Sequence, residues 1–167
     1  TYSIMRSQLF LDFLQTLTGI KGLLPEHTPG GVSYTAAGGK LKLHSDYNEK
    51  QDLVRRVNCF VFLNDDWDDS YGGHLEMWSK DKKQCQAKLA PLAGRLVVFT
   101  TTDHSWHGHP QPLTAPIGRL RRSIAFYFYT TGERPKEDCM DNDCSIKHGT
   151  IFIEPEGCDK CDDPACK

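Results

Sequence analysis

Apolar residues recur at helical spacing near the start of the chain and at alternating positions beyond it. In residues 3–18 they occupy positions 4, 5, 9, 10, 13, 14 and 17, which predicts one amphipathic helix. Ser3 can cap the start of this helix, and Gly19 can end it. A helix with one apolar stripe predicts a buttress that packs against a sheet.

The pattern then changes to short β-strands separated by turns. Residues 19–31 contain four glycines and two prolines and are predicted to be a loop. The predicted strands cover residues 32–36, 40–44, 55–63, 74–78, 87–89, 96–100 and 123–130. Many short strands with Gly- and Pro-rich turns predict a mainly β (α+β) sandwich or barrel.

The composition shifts near residue 132, where aromatic residues give way to Cys, Asp, Lys and Glu. We therefore predict a domain at 1–131, with a helical part at 1–30 and a β core at 31–131, and a Cys-rich appendage at 132–167. Five of the seven cysteines lie in this appendage: Cys139, Cys144, Cys158, Cys161 and Cys166. Structural zinc, disulfides and free thiols remain alternatives for them.

Charge and hydropathy narrow the classes of partner. The formal net charge is -2, and no basic stripe of the kind that binds nucleic acid is present. No apolar run approaches the roughly 18 residues of a membrane span. Cytoplasm and secretory-pathway lumen both remain open, as does the oligomeric state.

The segment from His44 to Asp46 carries the first chemical signal. Residues i and i+2 of a strand share a face, so an imidazole and a carboxylate point the same way if the strand continues through Asp46. A histidine from a distant strand would complete a set of two imidazoles and one carboxylate, which leaves metal positions open. His107 follows the apolar strand at 96–100, while His104 and His109 compete with it on composition.

Arginines precede the strand at 123–130 and carry the second signal. Arg119, Arg121 and Arg122 lie at its start. A buried arginine needs an anionic partner, and a guanidinium binds a carboxylate through two parallel hydrogen bonds. The alternative is a cluster of arginines on the surface.

Several motifs occur in a fixed order. They include GGKLKLHSD at 38–46, YGGHLE at 71–76, PLAGRLVVF at 91–99, HGHP at 107–110 and RRSIA at 121–125. Over residues 17–131, this ordered set resembles the prolyl-hydroxylase-like branch of the 2-oxoglutarate/Fe(II) oxygenases. The resemblance implies a double-stranded β-helix, or jelly roll.

The resemblance also implies roles for individual residues. The iron ligands fall on His44, Asp46 and His107, because the family's distal histidine precedes a short link to a proline. The residue for the co-substrate carboxylate falls on Arg121, with Arg122 as the alternative. Tyr34, ten residues before His44, falls where relatives place a tyrosine facing the co-substrate, whereas Phe62 replaces a second tyrosine and offers no hydrogen bond.

The implied activity is hydroxylation of an unactivated C–H bond with Fe(II), 2-oxoglutarate and ascorbate. A protein or peptide side chain, proline first, is the favoured substrate; a free amino acid or another small molecule is the alternative. A non-catalytic jelly-roll binding module and a cupin-type metalloenzyme are the other classes considered. Trp78 and Trp106 either line the mouth of the site or serve only in packing.

Overall fold

The computed structural model describes residues 2–27, 31–50 and 52–154. Its N-terminal region forms two helices, α1 (Tyr2–Met5) and α2 (Gln8–Thr18), rather than the single helix predicted. The predicted cap at Ser3 is wrong, because Ser3 lies inside α1 and the side chain of Ser7 accepts a hydrogen bond from the Phe10 amide. Gly19 ends α2 as predicted, with φ 75° and its amide bonded to the Gln15 carbonyl.

Eleven strands form within the described residues. They are β1 (Leu24–Pro25), β2 (Val32–Thr35), β3 (Leu41–Ser45), β4 (Glu49–Lys50), β5 (Leu53–Phe62), β6 (Leu75–Trp78), β7 (Cys85–Leu89), β8 (Leu96–Thr100), β9 (His107–His109), β10 (Arg121–Thr130) and β11 (Ile151–Ile153). The seven predicted strands all form, with ends shifted by up to two residues. The predicted loop at 19–31 contains β1, and β4, β9 and β11 were not predicted.

The strands form two antiparallel sheets. In the first, β10 and β5 are the central pair, with β1 and β2 on β10 and with β4 and β8 on β5. In the second, the order is β11-β3-β9-β6-β7. This arrangement confirms the mainly β architecture.

Helix α2 packs on the outer side of the first sheet. Leu11 and Leu14 are buried against side chains of β5 and β10, including Val57, Phe126 and Phe128. Burying an apolar side chain of this size contributes roughly 1.5–3 kcal/mol, which explains why the helix stays on the sheet. The predicted buttress is therefore confirmed. No helix in the described residues is long and apolar enough to cross a membrane.

A second apolar cluster lies on the second sheet. Leu43 of β3 packs with Trp78 and Trp106, and Ile151 and Ile153 of β11 pack against this cluster. Both tryptophans are at least nine-tenths buried, so they serve in packing rather than in the mouth of a site.

Residues 132–154 lie against the two sheets. Strand β11 pairs with β3, and Cys139 and Cys144 form a disulfide. Cys158, Cys161 and Cys166 lie outside the described residues, so their alternatives stay open. The division of the chain at residue 132 also stays a prediction.

Candidate metal centre

His44, Asp46 and His107 lie together on the inner side of the second sheet. One potential ligand atom from each falls within 4.8 Å of the others. The Asp46 Oδ1 atom is 3.9 Å from His44 Nε2, and its Oδ2 atom is 3.7 Å from His107 Nε2. Strand β3 ends at Ser45, one residue earlier than the prediction required, yet the Asp46 carboxylate still joins the cluster.

The pairing of β3 with β9 brings the two histidines together. His44 and His107 are cross-strand partners, and their ring centres are 4.3 Å apart. Gly108 permits this close pairing, because a Cβ atom at that position would lie 2.7 Å from the Lys42 carbonyl oxygen. A glycine between two histidines is therefore a structural requirement of this site.

Both histidines are oriented by a backbone carbonyl two residues before them. The Nδ1 atom of His44 donates to the Lys42 carbonyl at 3.0 Å, and that of His107 donates to the Ser105 carbonyl at 2.8 Å. A carbonyl can only accept, so each ring carries its proton on Nδ1 and presents a lone pair on Nε2. The two Nε2 atoms are thus prepared for a metal ion.

The environment of His107 fits a metal ligand. Burial lowers its pKa to about 4, helped by His44, so its imidazole is neutral near pH 7. Its Nε2 atom is buried and forms no hydrogen bond within the described part of the chain. An orphaned nitrogen beside a second imidazole and a carboxylate fits a divalent iron ion, which favours two histidines and one carboxylate on one face.

Two side chains outside the predicted ligand set hold the Asp46 carboxylate. Arg55 Nη1 lies 2.8 Å from Asp46 Oδ2, and Asn58 Nδ2 donates to the same oxygen at 2.5 Å. Burial raises the Asp46 pKa, but His107, Arg55 and Asn58 outweigh it and keep that pKa below its usual value. A polar residue at position 58 within an apolar strand was the available signal.

A cavity of about 310 Å³ extends from the three clustered residues to Arg121. Arg121 is 6% exposed, and its Nε atom donates to the Gly73 carbonyl at 2.6 Å. Burial lowers its pKa to about 10, which still leaves the guanidinium charged at pH 7. The neighbouring Arg122 is exposed and does not line the cavity, so Arg121 is the arginine that faces it.

The competing histidines occupy different places. His104 Nε2 lies 3.2 Å from the Cys139 carbonyl oxygen and is outside the cluster. His109 lines the cavity near its arginine end, where burial and the charge of Arg121 lower its pKa to about 3. Tyr34 borders the cavity, but it is 63% exposed and is the cross-strand partner of Arg122. Its predicted contact with the co-substrate stays a prediction.

Solved structures from several organisms resemble this chain. One describes prolyl 4-hydroxylases from Phytophthora capsici, with 22% identity, a TM-score of 0.56, and coverage of 77% of this chain and 41% of that one. Another is a prolyl-4-hydroxylase from Pseudomonas putida, with 25% identity, a TM-score of 0.49, and coverage of 77% and 64%. The third is a prolyl hydroxylase from Trichoplax adhaerens in complex with a hypoxia inducible factor peptide fragment, with 21% identity, a TM-score of 0.51, and coverage of 71% and 52%.

The chain thus spans between 41% and 64% of the length of these structures. The similarity to the Phytophthora and Trichoplax structures confirms the predicted jelly-roll fold. The family model of the 2OG-Fe(II) oxygenase superfamily matches residues 30–129, which is more than half of the 167 residues and includes all three clustered side chains. The chain therefore belongs to the 2OG-Fe(II) oxygenase superfamily.

Proposed function

We propose that this chain is an Fe(II)- and 2-oxoglutarate-dependent dioxygenase that hydroxylates an unactivated C–H bond on a polypeptide side chain, with proline the first candidate. One observation carries the proposal. A potential metal site and a buried, charged arginine line the same cavity. A co-substrate with a chelating keto acid at one end and a carboxylate at the other matches that arrangement.

Each end of the cavity has its own residues. His44 and His107 would hold Fe(II) through Nε2, and Asp46 through Oδ1, because Oδ2 already accepts from Asn58 and pairs with Arg55. Arg121 would bind the distal carboxylate through its two Nη groups, since its Nε is bonded to Gly73. When bound, the iron and 2-oxoglutarate supply, with dioxygen, the oxidant for C–H hydroxylation.

The protein's own contribution is positioning and exclusion of water. Arg55 and Asn58 keep Asp46 ionised and fix its rotamer. Phe60, beside His107, and Phe62, beside Arg121, form apolar walls of the cavity together with Leu75. Apolar walls strengthen the ionic contact at Arg121 by lowering the local dielectric constant.

The preference for a peptide substrate is supported by the Trichoplax relative, whose structure holds a peptide fragment. A free amino acid is the rival substrate within the same chemistry. Ascorbate is proposed as an auxiliary reductant. Structural zinc in the Cys-rich appendage remains a prediction for the cysteines beyond the Cys139–Cys144 disulfide.

The proposal is tested first by anaerobic titration of the protein with Fe(II) and 2-oxoglutarate. A weak charge-transfer absorption band should appear in the wild-type protein and be absent from an Asp46→Ala variant. Succinate release is then measured with ascorbate over synthetic proline-containing peptides and free amino acids, together with hydroxylated product by mass spectrometry. A wild-type protein that binds neither Fe(II) nor 2-oxoglutarate would instead be a non-catalytic binding module.

A further inference from the structure

His109 faces the interior of the fold from the same strand as His107. The two residues are i and i+2 on β9, so their side chains lie on one face. His109 is 4% exposed and lines the same cavity as Arg121 and Phe62. Its imidazole is therefore part of the cavity wall that also holds Arg121.

The imidazole of His109 lacks a partner that its burial calls for. Its Nδ1 atom is buried and makes no hydrogen bond within residues 2–27, 31–50 and 52–154. Buried polar atoms in folded proteins are almost always paired, and those that are not point to a ligand or another specific role. Nε2 of His107 is orphaned in the same way at the metal end of the cavity.

The surroundings of Arg121 leave room for a second donor. Arg121 Nε donates to the Gly73 carbonyl. The centre of the Phe62 ring is 5.1 Å from the Arg121 guanidinium carbon, and this ring has no hydrogen-bond donor. A carboxylate can accept about four hydrogen bonds. The two Nη groups of Arg121, when aligned with it, donate fewer than that. His109 is a neighbouring side chain on this wall with an unpaired ring nitrogen.

We propose that His109 donates a hydrogen bond to the distal carboxylate of 2-oxoglutarate beside Arg121 and so helps to select a dicarboxylic keto acid. This inference rests on the function proposed above. It gives the site a nitrogen donor at a place where Phe62 offers none. It also makes His109 a binding residue rather than a neutral histidine of the core.

The experiment compares two keto acids of equal length in the Fe(II)-loaded protein without oxygen. 2-Oxopentanoate carries a methyl group where 2-oxoglutarate carries its distal carboxylate. The dissociation constant of each is measured from the charge-transfer band in wild type, His109→Leu and His109→Gln. His109→Leu should weaken 2-oxoglutarate about tenfold, the effect of one hydrogen bond to a charged group, and leave 2-oxopentanoate within about twofold. His109→Gln, which keeps a donor, should recover most of the affinity.

Two further readouts separate this role from a structural one. Mn(II) affinity without any keto acid should be equal in wild type and His109→Leu, and the thermal unfolding curve shows whether the variant is folded. The proposal is overturned by an unchanged 2-oxoglutarate affinity in His109→Leu, or by an equal loss for both keto acids. If the wild-type protein itself binds no Fe(II) and 2-oxoglutarate, the proposed function fails, and this inference fails with it.

Discussion

Arg55, which is buried, and Asp46, which is partly buried, form an ion pair with Arg55 Nη1 2.8 Å from Asp46 Oδ2. The Arg55 guanidinium lies between two tyrosine rings, with its carbon 3.7 Å from the centre of Tyr47 and 3.9 Å from that of Tyr127. Cation–π contacts and the ion pair together compensate for removing this charge from water. Consequently the carboxylate proposed as a metal ligand is held ionised and in one orientation before any metal arrives.

We predict that Arg55→Met lowers the free energy of unfolding of the metal-free protein by about 3 kcal/mol, because it leaves a buried carboxylate without its cation. A bound divalent cation would replace the missing charge. Mn(II), which does not react under assay conditions, should therefore raise the melting temperature more in Arg55→Met than in wild type. Differential scanning calorimetry with and without Mn(II) measures both effects.

Arg56→Met is the matched control for this variant. Arg56 pairs with Asp138 at 3.5 Å, away from the metal cluster. Its replacement should leave the Mn(II)-dependent rise in melting temperature at the wild-type value. An Arg55→Met protein with a wild-type response to Mn(II) would mean that Arg55 does not set the charge of Asp46.

A second prediction concerns Gly73, whose backbone lies against Arg121. A Cβ atom at Gly73 would lie 2.9 Å from Arg121 Cδ, and the residue has φ 71°. Gly73→Ala should displace the arginine and weaken 2-oxoglutarate binding several-fold, while Mn(II) affinity stays unchanged. Isothermal titration calorimetry in the absence of oxygen measures both constants.

Gly72→Ala controls for backbone strain. Gly72 has φ 69°, and a Cβ atom there would meet nothing within 4 Å. Each alanine is therefore strained by a positive φ, at Gly72 in a region with ψ -145° that is nearly exclusive to glycine, and only Gly73→Ala also meets Arg121. Equal 2-oxoglutarate affinities in the two variants would contradict the proposed role of Arg121 in binding 2-oxoglutarate.

The neighbouring arginines provide a third, direct comparison. Arg121→Leu should reduce 2-oxoglutarate affinity on the order of 100-fold, because two hydrogen bonds to a charged group are lost together. Arg122→Leu should leave that affinity within about twofold, since Arg122 is exposed and faces away from the cavity. The charge-transfer titration reports both. A larger loss in Arg122→Leu than in Arg121→Leu would exchange the two assignments.

Local rules were enough to predict much of the fold and several members of the cluster. The i, i+2 relation placed His44 and Asp46 on one face, and that relation survives although β3 ends between them. The apolar stripe of residues 3–18 identified the helix that packs on β5 and β10. These features depend on residues that are close together in the chain, and the order of residue types in the sequence is enough to predict them.

Features that depend on distant partners were missed. Strand β9 is only His107–His109, and its apolar alternation is absent, because pairing with β3 rather than hydrophobicity defines it. Strand β11 forms because Ile151 and Ile153 cover Leu43, more than 100 residues earlier in the chain. The contacts of Arg55 and Asn58 with Asp46 likewise could not be predicted, because they depend on β5 lying against the end of β3.

A fourth prediction concerns Asp103, which ties residues 132–154 to the sheets. Asp103 is fully buried, pairs with Arg134 Nη1 at 3.4 Å and His148 Nε2 at 3.0 Å, and accepts a hydrogen bond from the Met140 amide at 2.9 Å. Asp103→Asn should lower the free energy of unfolding by about 3 kcal/mol, because the amide removes the negative charge opposite a buried arginine. Urea denaturation measures the change.

Asp143→Asn is the control in the same tail, since its exposed carboxylate accepts only from Ser145 among the described residues. It should leave the urea midpoint close to that of wild type. Arg134 also donates to the Arg55 carbonyl at 2.6 Å, so a loss of order around Asp103 would reach β5, the strand that supports Asp46. Asp103→Asn should therefore also weaken Mn(II) binding. An Asp103→Asn variant as stable as wild type would show that residues 132–154 do not stabilise the sheets through Asp103.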